Sequence, residues 1–301
     1  MLIQVGDIVG RKSYGCDLLF RVIEVLEKDE EKIAILAGEE VRLEADAPID
    51  DLVTISDDEL KKRQKEARER EDTSLRLFRQ DHHTLREKSE YFATAGYNSD
   101  SRNYFQLPGR VLHLDGDALY LKKCMELYRK LNVPVYSVYI DEKEMPEKIE
   151  GLMDKVRPDI LVITGHDAYL PAKGSPDELK AYRHSRQFAQ TVKAARRKVP
   201  HLDQLVIFAG ACQSHFESLI RAGANFASSP SRVNIHALDP VYVVAKLSYT
   251  PFMDRINVWD VLRNTLTGEK GLGGIETRGL LRTGMPYKQP QESEAEAESE
   301  A

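Results

Sequence analysis

From residue 110 onward, short and continuously apolar runs alternate with stretches whose apolar positions recur every three or four residues. Val111-Leu-His-Leu-Asp, Pro134-Val-Tyr-Ser-Val-Tyr-Ile, Asp159-Ile-Leu-Val-Ile-Thr-Gly and Gln204-Leu-Val-Ile-Phe-Ala-Gly predict four strands. Between them, Leu121, Cys124, Met125, Tyr128 and Leu131 share one predicted helix face, and a second helix runs from Glu142 to about Arg157. Ser175-Pro-Asp-Glu reads as the start of a third helix, with Pro176 in its first turn, Glu178 completing a capping box, and Phe188, Val192, Ala195 and Val199 as its buried stripe. A short helix bearing Phe216, Leu219 and Ile220 ends at Gly223. Strands without apolar–polar alternation are buried on both faces, which requires helices above and below a mainly parallel sheet. The expected fold is therefore a doubly wound α/β domain, with its ligand crevice at the carboxyl ends of the strands.

The first 55 residues differ. Asp7-Ile-Val-Gly, Phe20-Arg-Val-Ile-Glu-Val-Leu, Lys32-Ile-Ala-Ile-Leu and Val41-Arg-Leu are short β-type runs at close spacing, and they predict a small antiparallel, SH3-like barrel. Residues 56–105 form a charged connector. Its helix begins Asp57-Asp-Glu, mixes both charge signs at helical spacing, and gives way to a loop near Tyr97. The α/β domain spans 106–288, in which Val258-Trp-Asp-Val-Leu-Arg-Asn reads as a helix and the six glycines between Gly268 and Gly284 read as a mobile loop. Residues 289–301 carry five glutamates and no basic residue, and are expected to be disordered.

Composition narrows the partners. Hydrophobic residues make up 42% and charged residues 31% of 301, with a formal net charge of −6. That is a globular composition with no overall attraction for nucleic acid, and the first 55 residues are themselves acidic. No apolar run approaches the roughly 18 residues of a membrane span, and the amino terminus has no secretory pattern. Three scattered cysteines, Cys16, Cys124 and Cys212, make neither a disulfide framework nor a zinc cluster. His82, His83 and His215 have no ligand spacing, so neither metal nor cofactor is expected.

Two strand ends carry candidate chemistry. The third predicted strand delivers His166-Asp167, and the fourth delivers Cys212-Gln-Ser-His. Neighbouring parallel strands lie about 5 Å apart, which would bring imidazole and thiol together although 46 residues separate them. An imidazolium and the N-terminus of the following helix would lower the thiol pKa, making Cys212 a nucleophile and His166 its acid/base partner. The backbone N–H groups of Cys212 and Asp167 are the candidate oxyanion donors. A lone cysteine is more often a small buried hydrophobe, as Cys124 reads on its helix face, and a lone strand-end histidine is more often structural. The coincidence of both at consecutive strand ends favours the catalytic reading.

An apolar strand ending in His followed by an apolar strand ending in Ala-Cys resembles the caspase-like cysteine peptidases. Leu161 to Leu170, Phe208-Ala-Gly-Ala-Cys-Gln-Ser-His-Phe-Glu-Ser and the full-length layout resemble, more closely, the sporulation-specific peptidases of spore-forming bacteria. The resemblance implies a caspase-like catalytic domain that cuts spore coat and related sporulation proteins after arginine and can process its own chain. It implies action in the mother-cell cytoplasm or on the forming coat. By it, Cys212 is nucleophile and His166 general acid/base. The chain departs from the caspase-like pattern in having Asp167, where those enzymes have glycine, after the histidine. Arginine selectivity needs a buried acid. In several relatives it ends the first strand, here Leu114-Asp115-Gly-Asp117; Asp115 is the preferred substrate-binding residue, and Asp117 either joins it or caps the next helix.

Two other readings stand beside this one. Gly210-Ala-Cys-Gln-Ser also resembles a nucleophile elbow of a thiol amidotransferase or hydrolase on a flavodoxin-like sheet, in which His236 would be the essential base. A non-enzymatic spore-assembly protein would leave Cys212 dispensable.

Overall fold

The structure is a computed structural model that describes residues 3–28, 31–94 and 105–284. Ile8–Arg11 (β1), Phe20–Lys28 (β2), Glu31–Gly38 (β3), Glu44–Pro48 (β4) and Leu52–Thr54 (β5) form one antiparallel sheet in the order β4-β3-β2-β1-β5. Val9, Phe20, Val22, Ala34, Leu36, Ala47 and Leu52 pack as its core. The expected barrel is not closed: β4 and β5 stand at opposite ends, with no pairing between them among the described residues. Val41-Arg42-Leu43 is a turn rather than a strand of this sheet. Leu43 N–H donates to the Val41 carbonyl at 2.8 Å, and Val41 forms an isolated antiparallel bridge with His236.

Asp57–Thr94 (α1) begins with three acidic residues, which favour the positive end of the helix dipole. It is more than a solvated connector. Phe78 is buried in the main core, and the Asp81 carboxylate accepts from Lys246, Arg263 and Asn264 at 3.2, 2.6 and 3.3 Å.

Phe105–Leu107 (β6) leads into the α/β unit. Its elements follow as Val111–Asp115 (β7), Ala118–Lys130 (α2), Val135–Tyr139 (β8), Met145–Val156 (α3) and Ile160–Thr164 (β9). Ser185–Lys198 (α4), Val206–Ala209 (β10), Phe216–Ala222 (α5), Phe226–Ser228 (β11) and Asp239–Tyr249 (α6) continue it. The sheet order is β8-β7-β9-β10-β11, all parallel, and an antiparallel edge is added to β11 by Leu272–Gly274. Alternate residues of each central strand enter different cores. Val111, Ile160, Val206 and Phe208 pack with α2 and α6, whereas Leu112, Leu161, Ile163 and Ile207 pack with α3, α4 and α5. This two-sided burial is why the strands read as unbroken apolar runs.

Arg255–Ile256 (β12), Val258–Leu262 (α7), the added edge strand Leu272–Gly274 (β13), Thr277–Arg278 (β14) and Arg282–Gly284 (β15) complete the described chain. The glycine-rich stretch expected to be a loop thus builds structure: β13 extends the main sheet, β14 pairs with β12, and β15 pairs with β6. Gly274 is required there, since an added Cβ would lie 2.5 Å from the Asn225 carbonyl oxygen. The third helix begins at Ser185, ten residues after its expected start. Ser175 N–H does donate to Glu178 at 3.1 Å, but the chain then makes only a single 3-10 turn at Leu179–Ala181. Lys180 and Arg183 therefore precede the helix. Arg196 turns inward to the carbonyls of Gly223 and Leu205, at 2.8 Å each. The glutamate-rich tail lies outside the described residues.

Candidate active site

The strand order reverses direction between β7 and β9, since β8 lies on one side of β7 and the later strands on the other. Ligand sites of open α/β sheets fall at such a switch point. Here it is straddled by a contact between side chains from the two strand ends. His166, two residues past β9, places Nε2 2.8 Å from Oδ2 of Asp117, two residues past β7. The other oxygen of Asp117 caps α2, accepting from Leu119 N–H at 2.7 Å and Tyr120 N–H at 2.9 Å. Burial alone would depress the His166 pKa, but the hydrogen bond and charge of Asp117 outweigh it and hold the imidazole above its ordinary value. Burial opposes ionisation of Asp117 too, yet His166 and the two helix N–H groups hold its carboxyl below the usual range. An ionised Asp117 fixes the proton on Nε2, which leaves Nδ1 as the basic atom of a neutral ring. Nδ1 is buried and has no hydrogen-bond partner among the described residues.

The main chain of His166 is clamped as well. Its N–H donates to Glu142 Oε1 at 2.7 Å, and its carbonyl lies 2.9 Å from His184 Nδ1. Glu142 fits only because its neighbours have no side chain: a Cβ would lie 2.1 Å from Oε1 at Gly116 and 2.3 Å at Gly165.

Cys212 follows the adjacent strand β10, whose Ala209 is level with Ile163 of β9. Gly210 has φ of 112°, and a Cβ there would lie 2.3 Å from the Ser228 hydroxyl, so the turn that lifts Cys212 off the sheet needs glycine. The thiol is buried. Sγ accepts from Ile235 N–H at 3.3 Å and lies 3.7 Å from the Ile235 carbonyl oxygen. No hydrogen bond joins it to His166 among the described residues. The expected lowering of its pKa is not found: burial pushes the thiol up to about 12, against the smaller pull of the Ile235 and Arg42 N–H groups and the Arg42 charge. Moreover α5 starts at Phe216, capped by the His215 side chain, so the helix does not begin immediately after the sulfur.

The two strand-end loops are tied together by Asp167. Its Oδ1 accepts from the N–H groups of Ala168 and His184 at 2.9 and 2.8 Å; its Oδ2 accepts from the Ser214 hydroxyl at 2.9 Å and from that of Ser185. Ser214 in turn accepts from Ala211 N–H at 2.9 Å, beside Cys212. The residue that departs from the caspase-like glycine therefore links the His166 loop to the Cys212 loop through its side chain. Neither Asp167 N–H nor Cys212 N–H, the candidate oxyanion donors, is consumed by a hydrogen bond among the described residues.

Asp115 is wholly buried at the end of β7 and already holds a guanidinium. Arg42 Nη1 sits 2.8 and 2.7 Å from its two oxygens, and His113 Nε2 lies 3.5 Å away. Burial raises the Asp115 pKa, but Arg42 and His113 win and bring it down to about 2.

Of the residues singled out from sequence, His166, Asp167 and Asp117 are thus in one hydrogen-bonded region, Cys212 joins it through Asp167 and Ser214, and Asp115 lies at the neighbouring strand end facing Arg42. His236 is in the segment beside Cys212, with Nδ1 accepting from Leu238 N–H at 3.2 Å; burial, then Arg70 and Lys123, push its pKa down to about 3. Glu142, His184, Ser185, Ser214 and Arg42 were not anticipated. No local motif marks them, since each meets its partner only through the tertiary fold.

Buried carboxylates, an imidazole and a thiol gathered just beyond adjacent parallel strands, at the switch point of an α/β sheet, are the setting of an enzyme. Comparison with known proteins identifies which kind. The profile of the family described as YabG peptidase U57 matches residues 4–286, and the chain belongs to that family. It is 65% identical over 289 residues to the sporulation-specific protease YabG of Bacillus subtilis (strain 168), across 96% of this chain and 99% of that protein. No solved structure matches. The chain is accordingly a member of a sporulation protease family, whose substrates are proteins. No described helix is long and apolar enough to cross a membrane.

Proposed function

We propose that the chain is a cysteine endopeptidase that cuts after arginine in spore coat and other sporulation proteins, with Cys212 as nucleophile and His166 as general acid/base. The observation that carries this reading is the placement of His166 and Cys212 just beyond adjacent, parallel strands, with Asp117 holding Nε2 and leaving Nδ1 without a partner among the described residues. Nδ1 takes the thiol proton as sulfur bonds to the scissile carbonyl carbon, and then returns that proton to the departing amine as the C–N bond breaks. Water, deprotonated by the same nitrogen, hydrolyses the thioester and regenerates the thiol. The N–H groups of Cys212 and Asp167 are offered to the developing oxyanion. Asp115 receives the substrate guanidinium, a role supported by its complete burial and by its existing pairing with one. Asp117 acts instead through His166, as its orienting partner. Processing of its own chain, and action in the mother-cell cytoplasm or on the forming coat, belong to the same reading.

The test is to incubate purified protein with an arginine-containing coat protein and map the new termini by mass spectrometry, beside Cys212→Ser, His166→Ala and His236→Ala. Cutting after arginine, abolished in the first two variants and retained in the third, is the expected result. Termini after other residues would remove the specificity, and undiminished cutting by Cys212→Ser would remove the mechanism. Loss in His236→Ala alone would point to the elbow-type hydrolase, a role for which an imidazole held near pKa 3 is poorly suited at neutral pH.

A further inference from the structure

Arg42 is among the largest wholly buried side chains of the molecule, yet it comes from the turn between β3 and β4 of the N-terminal sheet, 73 residues from its partner Asp115. A buried guanidinium is costly to desolvate and is kept only where its donors are satisfied. This one is not fully satisfied. Nη1 is held by Asp115 and Nη2 lies 3.2 Å from Cys124 Sγ and 3.3 Å from the Ala237 carbonyl, but Nε is buried with no partner among the described residues. The backbone around it behaves like a peptide docked on a strand edge. Val41 bridges His236 in antiparallel fashion, Ala237 N–H donates to the Glu40 carbonyl at 2.9 Å, and the Tyr120 hydroxyl reaches the carbonyls of Gly38 and Val41 at 2.5 and 2.7 Å. Strand-edge addition with alternate side chains in pockets is how extended peptides are commonly recognised. The segment this turn docks on also holds the thiol: Cys212 Sγ accepts from Ile235 N–H at 3.3 Å, one residue before the His236 that bridges Val41. Arg42 thus reaches from the nucleophile's surroundings to the buried acid, the span a substrate arginine has to cover.

We infer that the β3–β4 turn is an internal stand-in for the substrate, with Arg42 filling the arginine pocket and the turn covering Cys212 until it is displaced. The inference rests on the proposed role of Asp115 and Cys212. It also accounts for the complete burial of the thiol. The turn closed by Leu43 N–H on the Val41 carbonyl is tighter than the extended backbone of a peptide on a strand edge, which suits an occupant that stays rather than one that is cut. The segment Ile235–Ala237 would then be the edge along which a true substrate lies, once Glu40–Arg42 have left it.

The experiment compares full-length protein with Arg42→Ala by two readouts: the rate at which iodoacetamide alkylates Cys212, followed by peptide mass spectrometry, and the rate of cleavage of a fluorogenic arginine peptide. Both rates are expected to rise by at least about tenfold, because the open fraction multiplies each. Agmatine, a free guanidinium on a short chain, should inhibit the variant competitively at concentrations that leave the wild type unaffected. Because Arg42→Ala strands Asp115, Tyr120→Phe serves as a second variant. It keeps the ion pair but removes the hydroxyl that pins the turn, and it should raise the alkylation rate by a smaller factor. Folded variants that are alkylated no faster than a wild type that cuts after arginine would overturn the stand-in and leave the peptidase reading intact. A variant that is alkylated faster while neither protein cuts after arginine would overturn the pocket assignment, and this inference with it.

Discussion

Asp117 serves two masters through one carboxylate: Oδ1 caps α2 at Leu119 and Tyr120, while Oδ2 holds His166 Nε2 at 2.8 Å. The pairing joins the ends of β7 and β9 across the point where the sheet reverses its order. The two duties are separable by chemistry, since asparagine caps a helix about as well as aspartate but carries no charge.

Asp117→Asn should therefore melt within about 1 kcal/mol of the wild type. Its kcat/KM on an arginine peptide should fall by roughly two to four orders of magnitude, as an unanchored imidazole loses both orientation and basicity. An unchanged kcat/KM would reduce Asp117 to a helix cap.

The same pair gives stability a pH signature. Asp117 is held below its unfolded pKa, so its contribution is present above about pH 4 and fades as pH falls through the folded value. His166 is held above its unfolded pKa, so its contribution is present below about pH 6.5 and fades as pH rises through the folded value. The stability gap between wild type and Asp117→Asn, measured by denaturant titration, should peak between about pH 4 and pH 6.5. A gap that is flat across the whole range would show that no ion pair is present.

Asp167→Ala leaves two N–H groups and two hydroxyls without their acceptor in a buried region. The expected cost is about 3 kcal/mol or more, read from denaturant midpoints. Activity per folded molecule, measured well below the melting temperature, should fall too, because this carboxylate fixes one catalytic loop against the other. Full activity in the folded fraction would confine Asp167 to stability.

Gly165→Ala drives a methyl group to 2.3 Å from the Glu142 carboxylate, the acceptor of His166 N–H. A loss of about 1–3 kcal/mol is expected. Adding Glu142→Ala should recover part of it, giving a double-mutant cycle with a coupling of about 1 kcal/mol. Strict additivity would mean that the glycine is kept for another reason.

How much of this was written in the sequence depends on whether the signal is periodic or spatial. Unbroken apolar runs such as Ile160–Thr164 report correctly that both strand faces are covered, and from that follows the parallel sheet. Asp117 was open between cap and pocket because a carboxylate two residues past a strand satisfies either pattern; the fold gives it the cap together with an imidazole from 49 residues away. The Ser175–Glu178 signature formed its local contact without propagating a helix, since nucleating a first turn does not secure the next. Val41-Arg-Leu carries β-type residues that predict a strand, yet Val41 pairs only in an isolated bridge with His236, in a segment with no local mark of pairing. Gly268–Gly284 misled in the opposite sense, because close backbone approach in an added strand calls for the same residue as a loop.

The long helix α1 gives the N-terminal sheet a particular kind of leash. At 1.5 Å per residue its 38 residues make a rod of about 57 Å, moored midway by Phe78 and by the cations gathered on Asp81. A segment delivered on a stiff arm returns to its seat far more often than one on a slack tether, because its local concentration stays high wherever the arm can reach. Dilution therefore does not empty the seat: lasting release calls for severing the arm, or for prising it from its moorings.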